Sequence, residues 1–124
     1  LKGRNPFDFQ MESLKKQGLI NESEAQTICD ILLFPEESLL TPQQQEEIQW
    51  LKTSITSQVV EFLKKTTTSP ERETQLGNLR ELRSGCEMKR WSGQKRIIVT
   101  LSYTAMSLSY FLDGERASIP TKRV

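Results

Sequence analysis

The sequence predicts an α+β domain: a helical amino-terminal two-thirds whose long amphipathic helix packs on a carboxyl-terminal antiparallel β-meander. Two observations carry this. Apolar residues recur at spacings of three and four as far as Leu82, and beyond Gly85 they alternate, with β-branched side chains prominent. At 124 residues the chain has room for one core. It is therefore read as a single domain over 1–124, mainly helical over 6–84, a meander over 86–119 and a flexible tail over 120–124.

Asn5-Pro6 opens the first helix, a cap residue before a proline suited to the first helical position. Phe7, Met11 and Leu14 then fall on one face, and Gly18 offers a left-handed stop, so the helix is predicted over about 6–17. Asn21 with Glu24 three residues later forms a capping-box pattern. Ala25, Ile28, Ile31 and Leu32 supply the apolar face of a second helix, ended by Pro35. Thr41-Pro42 with Gln44 starts the longest helix, over 42–65, which would extend about 36 Å at 1.5 Å per residue. Thr66 to Pro70 breaks the pattern. Leu76, Leu79 and Leu82 mark a weaker fourth helix, interrupted by Gly77 and closed at Ser84-Gly85.

From Ile97 to Tyr103 odd positions alternate with Ile98, Thr100, Ser102 and Thr104, and the phase flips at Ala105-Met106, as at a bulge or turn. Ser92-Gly93 and Asp113-Gly114 are hairpin-type dipeptides at either end. The competing pattern is an all-α bundle with a helix over 97–112, turning Ile98, Leu101, Ala105, Leu108 and Leu112 inward. Five hydroxyl residues within that run favour strands.

Composition excludes several classes of function. With 17 basic against 16 acidic side chains the chain is no polycation, and the absence of histidine removes the usual neutral-pH proton shuttle and the commonest metal ligand. Cys29 and Cys86 are too few for a zinc site and read as reduced thiols of an intracellular protein, cytoplasmic or nuclear. The opening Leu1-Lys2-Gly3-Arg4 does not read as a signal peptide. The longest uncharged run, Ile97 to Leu112, falls short of the ~20 residues that span a bilayer, so no membrane insertion is expected. Nucleophile, phosphate-loop and metal templates all fail. Glu87 and Lys89 have the E-x-K spacing of a metal-dependent nuclease, a third reading that needs a further carboxylate, which only a glutamate could supply because no Asp lies between Asp30 and Asp113. No catalytic residue, metal or cofactor is assigned.

Two interaction signals remain. Residues 1–70 hold 7 basic and 10 acidic side chains, while 71–124 hold 10 basic and 6 acidic. The basic excess gathers at Arg80, Arg83, Lys89, Arg90, Lys95 and Arg96 around Trp91, with Tyr103 and Tyr110 on adjoining strands. Cations that neutralise phosphates beside rings that stack on bases suit RNA or single-stranded nucleic acid, or an acidic partner. The second signal is the stripe Ile48, Leu51, Ile55, Val59 and Phe62, flanked by Trp50, which reads as a homodimer seam. The expected function is a non-enzymatic protein-interaction module, regulatory or assembling and self-associating, with nucleic-acid binding as the alternative.

Overall fold

The computed structural model describes residues 6–117. Among these the chain forms five α-helices and no strand: α1 (Pro6–Lys16), α2 (Glu22–Ile31), α3 (Pro42–Leu63), α4 (Ser69–Gly85) and α5 (Gly93–Ala117), with a 3-10 turn at Pro35–Leu39 between α2 and α3. The predicted α+β class is thus overturned. Of the segment expected as a meander, Gly93–Ala117 form the longest helix among the described residues, and positions 118 and 119 lie outside them.

The first four helices start where their sequence signals place them. Glu24 N donates to Asn21 Oδ1 at 2.7 Å and Asn21 N to Glu24 Oε1 at 3.0 Å, closing the capping box of α2. Thr41 and Gln44 make the same reciprocal pair at the start of α3. Thr68 caps α4, and Gly18 ends the α1 region at φ +77°, where a side chain would be strained. α2 closes at Ile31 rather than running on to Pro35, which instead opens the 3-10 turn. The Asn5 cap and the predicted 120–124 tail lie outside the described residues.

In α5 the alternation that suggested strands has another cause. Ile97 and Leu101 are fully buried, whereas Val99 is half-buried and Tyr103 exposed; the odd positions therefore divide between two sides of one helix. Leu108 and Leu112 continue the buried side. Two of the five hydroxyl residues that argued for strands, Thr100 and Thr104, are accommodated inside it, while Ser102 and Ser107 are half-buried and Ser109 is exposed. Thr104 Oγ1 donates to the Thr100 carbonyl one turn back at 2.7 Å, and Thr100 Oγ1 accepts from Met88 N at 3.0 Å. Both threonines are fully buried. Gly93, at φ +57°, turns the chain into α5 rather than closing a hairpin, and residues 113 and 114 continue the helix backbone, as do Ala105 and Met106 where a bulge was expected.

α3 and α5 pack most extensively and run in the same direction. At one end Gln44 Nε2 donates to Gln94 Oε1 (3.3 Å) and Gln94 Nε2 to Glu47 Oε1 (3.0 Å); at the other the rings of Phe62 and Phe111 lie 6.5 Å apart. α4 carries the chain back between them, α1 lies on α3, and α2 lies on α4. The core is continuous through all five helices, from Phe7 and Met11 through Ile28, Ile48 and Ile55 to Leu101.

Arg72, in the first turns of α4, joins three segments. Its guanidinium donates to both Glu24 carboxylate oxygens (2.7 and 3.1 Å) and to the carbonyls of Leu19, Leu63 and Thr66 at 2.7, 2.7 and 3.1 Å. The Arg72 hydrogen bonds hold the Glu24 carboxyl below its ordinary value of 4.5, against the opposing effect of burial and with help from the Asn21 N–H. Because the folded-state value is lowered, the stabilisation is complete above the ordinary value and is lost as pH falls through the lowered one. Urea denaturation from pH 7 to pH 2.5 is expected to show a stability loss beginning below about pH 4.5 that is smaller in Glu24→Gln. An identical acid profile in that variant would rule Glu24 out as a contributor.

Candidate interaction surfaces

The two sets of residues singled out in the sequence are distributed differently from the expectation. On α3, Ile48, Ile55 and Val59 are buried in the domain's own core, and Leu51 and Phe62 are half-buried against it. Trp50 alone of that set faces outward, at 58% exposure.

The basic residues fall in three places. Arg80 is exposed on α4. Arg83 lies with its guanidinium 4.6 Å from the centre of the Phe34 ring, and its Nη1 is buried without a hydrogen-bond partner among the described residues. Burial, and secondarily the charge of Arg96, pushes the Arg83 pKa down. Arg96 is also turned inward. Its Nη1 donates to both oxygens of Glu36 at 2.7 Å and its Nη2 to Glu87, tying α5 to the 3-10 turn and to the α4–α5 connection. Glu87, the acid of the E-x-K pattern, thus serves as a partner of Arg96, while Lys89 is exposed.

Lys89, Arg90, Trp91 and Lys95 remain together where α4 passes into α5. Lys95 Nζ lies 4.2 Å and the Arg90 guanidinium 5.7 Å from the Trp91 ring centre, so the protein's own cations already occupy the ring. Glu47 lies close by, bonded to Gln94. Tyr103 and Tyr110 are not adjacent to Trp91: along α5, Tyr103 is about 12 Å beyond Lys95 at 1.5 Å per residue.

Those tyrosines belong to a surface that the sequence reading did not isolate. Val99, Tyr103, Met106 and Tyr110 follow one another at spacings of four, three and four on the side of α5 opposite the core. Tyr103, Met106 and Tyr110 are 48%, 50% and 73% exposed, and Val99 is half-buried. No charged residue occurs from Ile97 to Leu112. α5 therefore carries apolar side chains on both sides, one inside the domain and one facing solvent. The signal was present as the uncharged run itself, since a helix that covers a core with one face ordinarily carries charge on the other.

Cys29 and Cys86 are both free. Burial, then the Asp8 carboxylate, raises the Cys29 thiol pKa, and Cys86 Sγ lies 3.6 Å from Ser107 Oγ. Among the described residues no helix is long and apolar enough to cross a membrane. Comparison with protein-family models, with curated proteins and with solved structures finds no match to this chain.

Proposed function

We propose that the chain is a non-enzymatic, intracellular protein-interaction module of regulatory or assembly type that self-associates through the outer face of α5. One observation carries the reading: a long, well-supported helix presents Val99, Tyr103, Met106 and Tyr110 to solvent with no charge among them. Contiguous apolar surface of this kind marks interaction sites, and tyrosine and methionine are enriched at interfaces because they bury large area at low entropic cost. The unpaired thiols fit a reducing compartment.

A second copy suits this face for an electrostatic reason. A two-fold axis puts the same patch on both sides of the contact, so a stripe charged with one sign throughout would repel its own copy and an uncharged one does not. In an antiparallel pairing of two α5 helices, the cationic end at Arg90 and Lys95 lies against the partner's helix carboxyl terminus, where the macrodipole is negative.

Sedimentation velocity over a concentration series is expected to show a dimer forming with a dissociation constant of roughly 10–100 µM. Met106→Glu and Tyr103→Glu, both at exposed positions, should leave helicity and stability unchanged and abolish the dimer. A wild-type chain that stays monomeric at ten times that concentration would refute the reading, as would a dimer indifferent to both substitutions.

A further inference from the structure

On a side of the molecule separate from the outer face of α5, α3, α4 and α5 diverge around an apolar cleft of about 340 Å³. Its walls are Val59 and Phe62 of α3, Leu79 and Leu82 of α4, and Leu108 and Phe111 of α5. The cleft exists because α4 buries only Leu76 and Leu79 fully, too little apolar volume to close the space between two longer helices. Its size lies in the range of small-ligand sites.

The polar groups at the cleft decide what kind of molecule suits it. Gln75, Asn78 and Glu81 of α4 line it, and among the described residues no basic side chain does. Asn78 Nδ2 donates to Gln75 Oε1 at 3.4 Å, so those two amides partly satisfy each other. Glu81 is exposed and makes no hydrogen bond or ion pair with the described residues. The Phe62 and Phe111 rings stand 6.5 Å apart at 53° to one another. Aromatic faces attract cations, and a carboxylate lining the same cleft acts in the same sense. An anionic amphiphile such as a fatty acid would meet Glu81 with no counter-charge among the described residues, and a wholly apolar molecule would leave both features unused.

We infer that this cleft binds an organic cation with an apolar body, of the alkylammonium class, its chain among Leu79, Leu82 and Leu108 and its charged head between Glu81 and the phenylalanine rings.

The test uses three probes of equal chain length, hexyltrimethylammonium, hexanol and hexyl sulfate, in calorimetric and two-dimensional NMR titrations of the full chain. The cation is expected to saturate in the millimolar range or below, to perturb Leu82 and Phe111, and to bind at least about ten-fold more tightly than hexyl sulfate, with hexanol between. Glu81→Lys, a surface change, should reverse the order of cation and anion. Leu82→Trp, filling the cleft from a half-buried position, should abolish all three titrations while the chain keeps its helicity. The inference is overturned if hexyltrimethylammonium fails to saturate by about 10 mM, if the anion or the alcohol binds as tightly, or if Glu81→Lys leaves the order unchanged. These outcomes are independent of the oligomeric state, because neither variant touches Val99, Tyr103, Met106 or Tyr110.

Discussion

Arg72→Ala is expected to lower the unfolding free energy by about 3–5 kcal/mol, the cost typical of removing one partner from a largely buried ion pair. The side chains of Arg72 and Glu24 are only 16% and 12% exposed, so solvent screens their attraction weakly. A guanidinium offers five N–H donors, and all are used here: two on Glu24, and one each on the carbonyls of Leu19, Leu63 and Thr66. The alanine variant takes the guanidinium away from the Glu24 carboxylate and from the carbonyls of Leu19, Leu63 and Thr66, and it unties α2, α3 and α4 at one point. Against a total stability of roughly 5–15 kcal/mol for a domain of this size, such a loss removes a large share. Arg72→Lys should recover little, because a lysine has three donors on a compact head and cannot span acceptors lying in different directions. Urea denaturation of the wild type and both variants measures this. A loss below about 1 kcal/mol, or full rescue by lysine, would show that the clamp is not integral to stability.

Such a clamp could not be read from the sequence. Arg72 lies beside Glu71 and Glu73, where a solvated salt-bridging helix face is the natural reading. Its partners come from segments whose mutual position is set by tertiary packing, and three of them are backbone carbonyls that no residue type announces. The capping boxes at Asn21 and Thr41, by contrast, are local and reciprocal, with both halves inside four residues. This difference explains why α1 to α4 were legible, nearly to their ends, while the ion pairs holding them were not.

The last third failed for a different reason. A helix with one solvated face announces itself by a period near 3.6, but α5 is apolar on two faces, and superimposing two stripes fills in the gaps that define the period. What remained was a chance alternation among Ile97, Val99, Leu101 and Tyr103, strengthened by the strand preference of threonine and valine. Tertiary context overrode that preference by burying Thr100 and Thr104 with their hydroxyls bonded. The surface proposed for self-association was missed for the same cause. The regular stripe of α3 drew attention as a seam but is used internally, while the outward stripe of α5 was concealed inside an apparent sheet. The basic cluster was legible as composition alone. Whether an arginine turns outward depends on whether an acid lies within reach, and for Arg96 two acids do.

The adjacent acids Glu36 and Glu37 divide between two cations, and the second of these pairs carries the other large expected effect. Lys52 is 4% exposed in the middle of α3, its ammonium bonded to Glu37 and lying 5.7 Å from the centre of the Phe7 ring. Glu37 in turn accepts from Phe34 N at 3.1 Å and from Gln49 Nε2 at 3.4 Å, which fixes the 3-10 turn against α3. Glu37→Ala leaves a buried cation without its carboxylate partner, so a loss of about 3–5 kcal/mol is expected. Lys52→Met keeps the packed stem and leaves Glu37 two neutral donors, so the loss should be nearer 1–2 kcal/mol. In Lys52→Met/Glu37→Gln both charges are gone and the glutamine amide can still accept from Phe34 N. The double variant should therefore be more stable than Glu37→Ala, despite carrying one substitution more. Chemical denaturation of the three variants decides the point. If the double variant falls below Glu37→Ala, the pair stabilises the fold by more than it costs to desolvate. If it approaches the wild type, the pair contributes little net energy, and its effect is to place the 3-10 turn on α3 in one register.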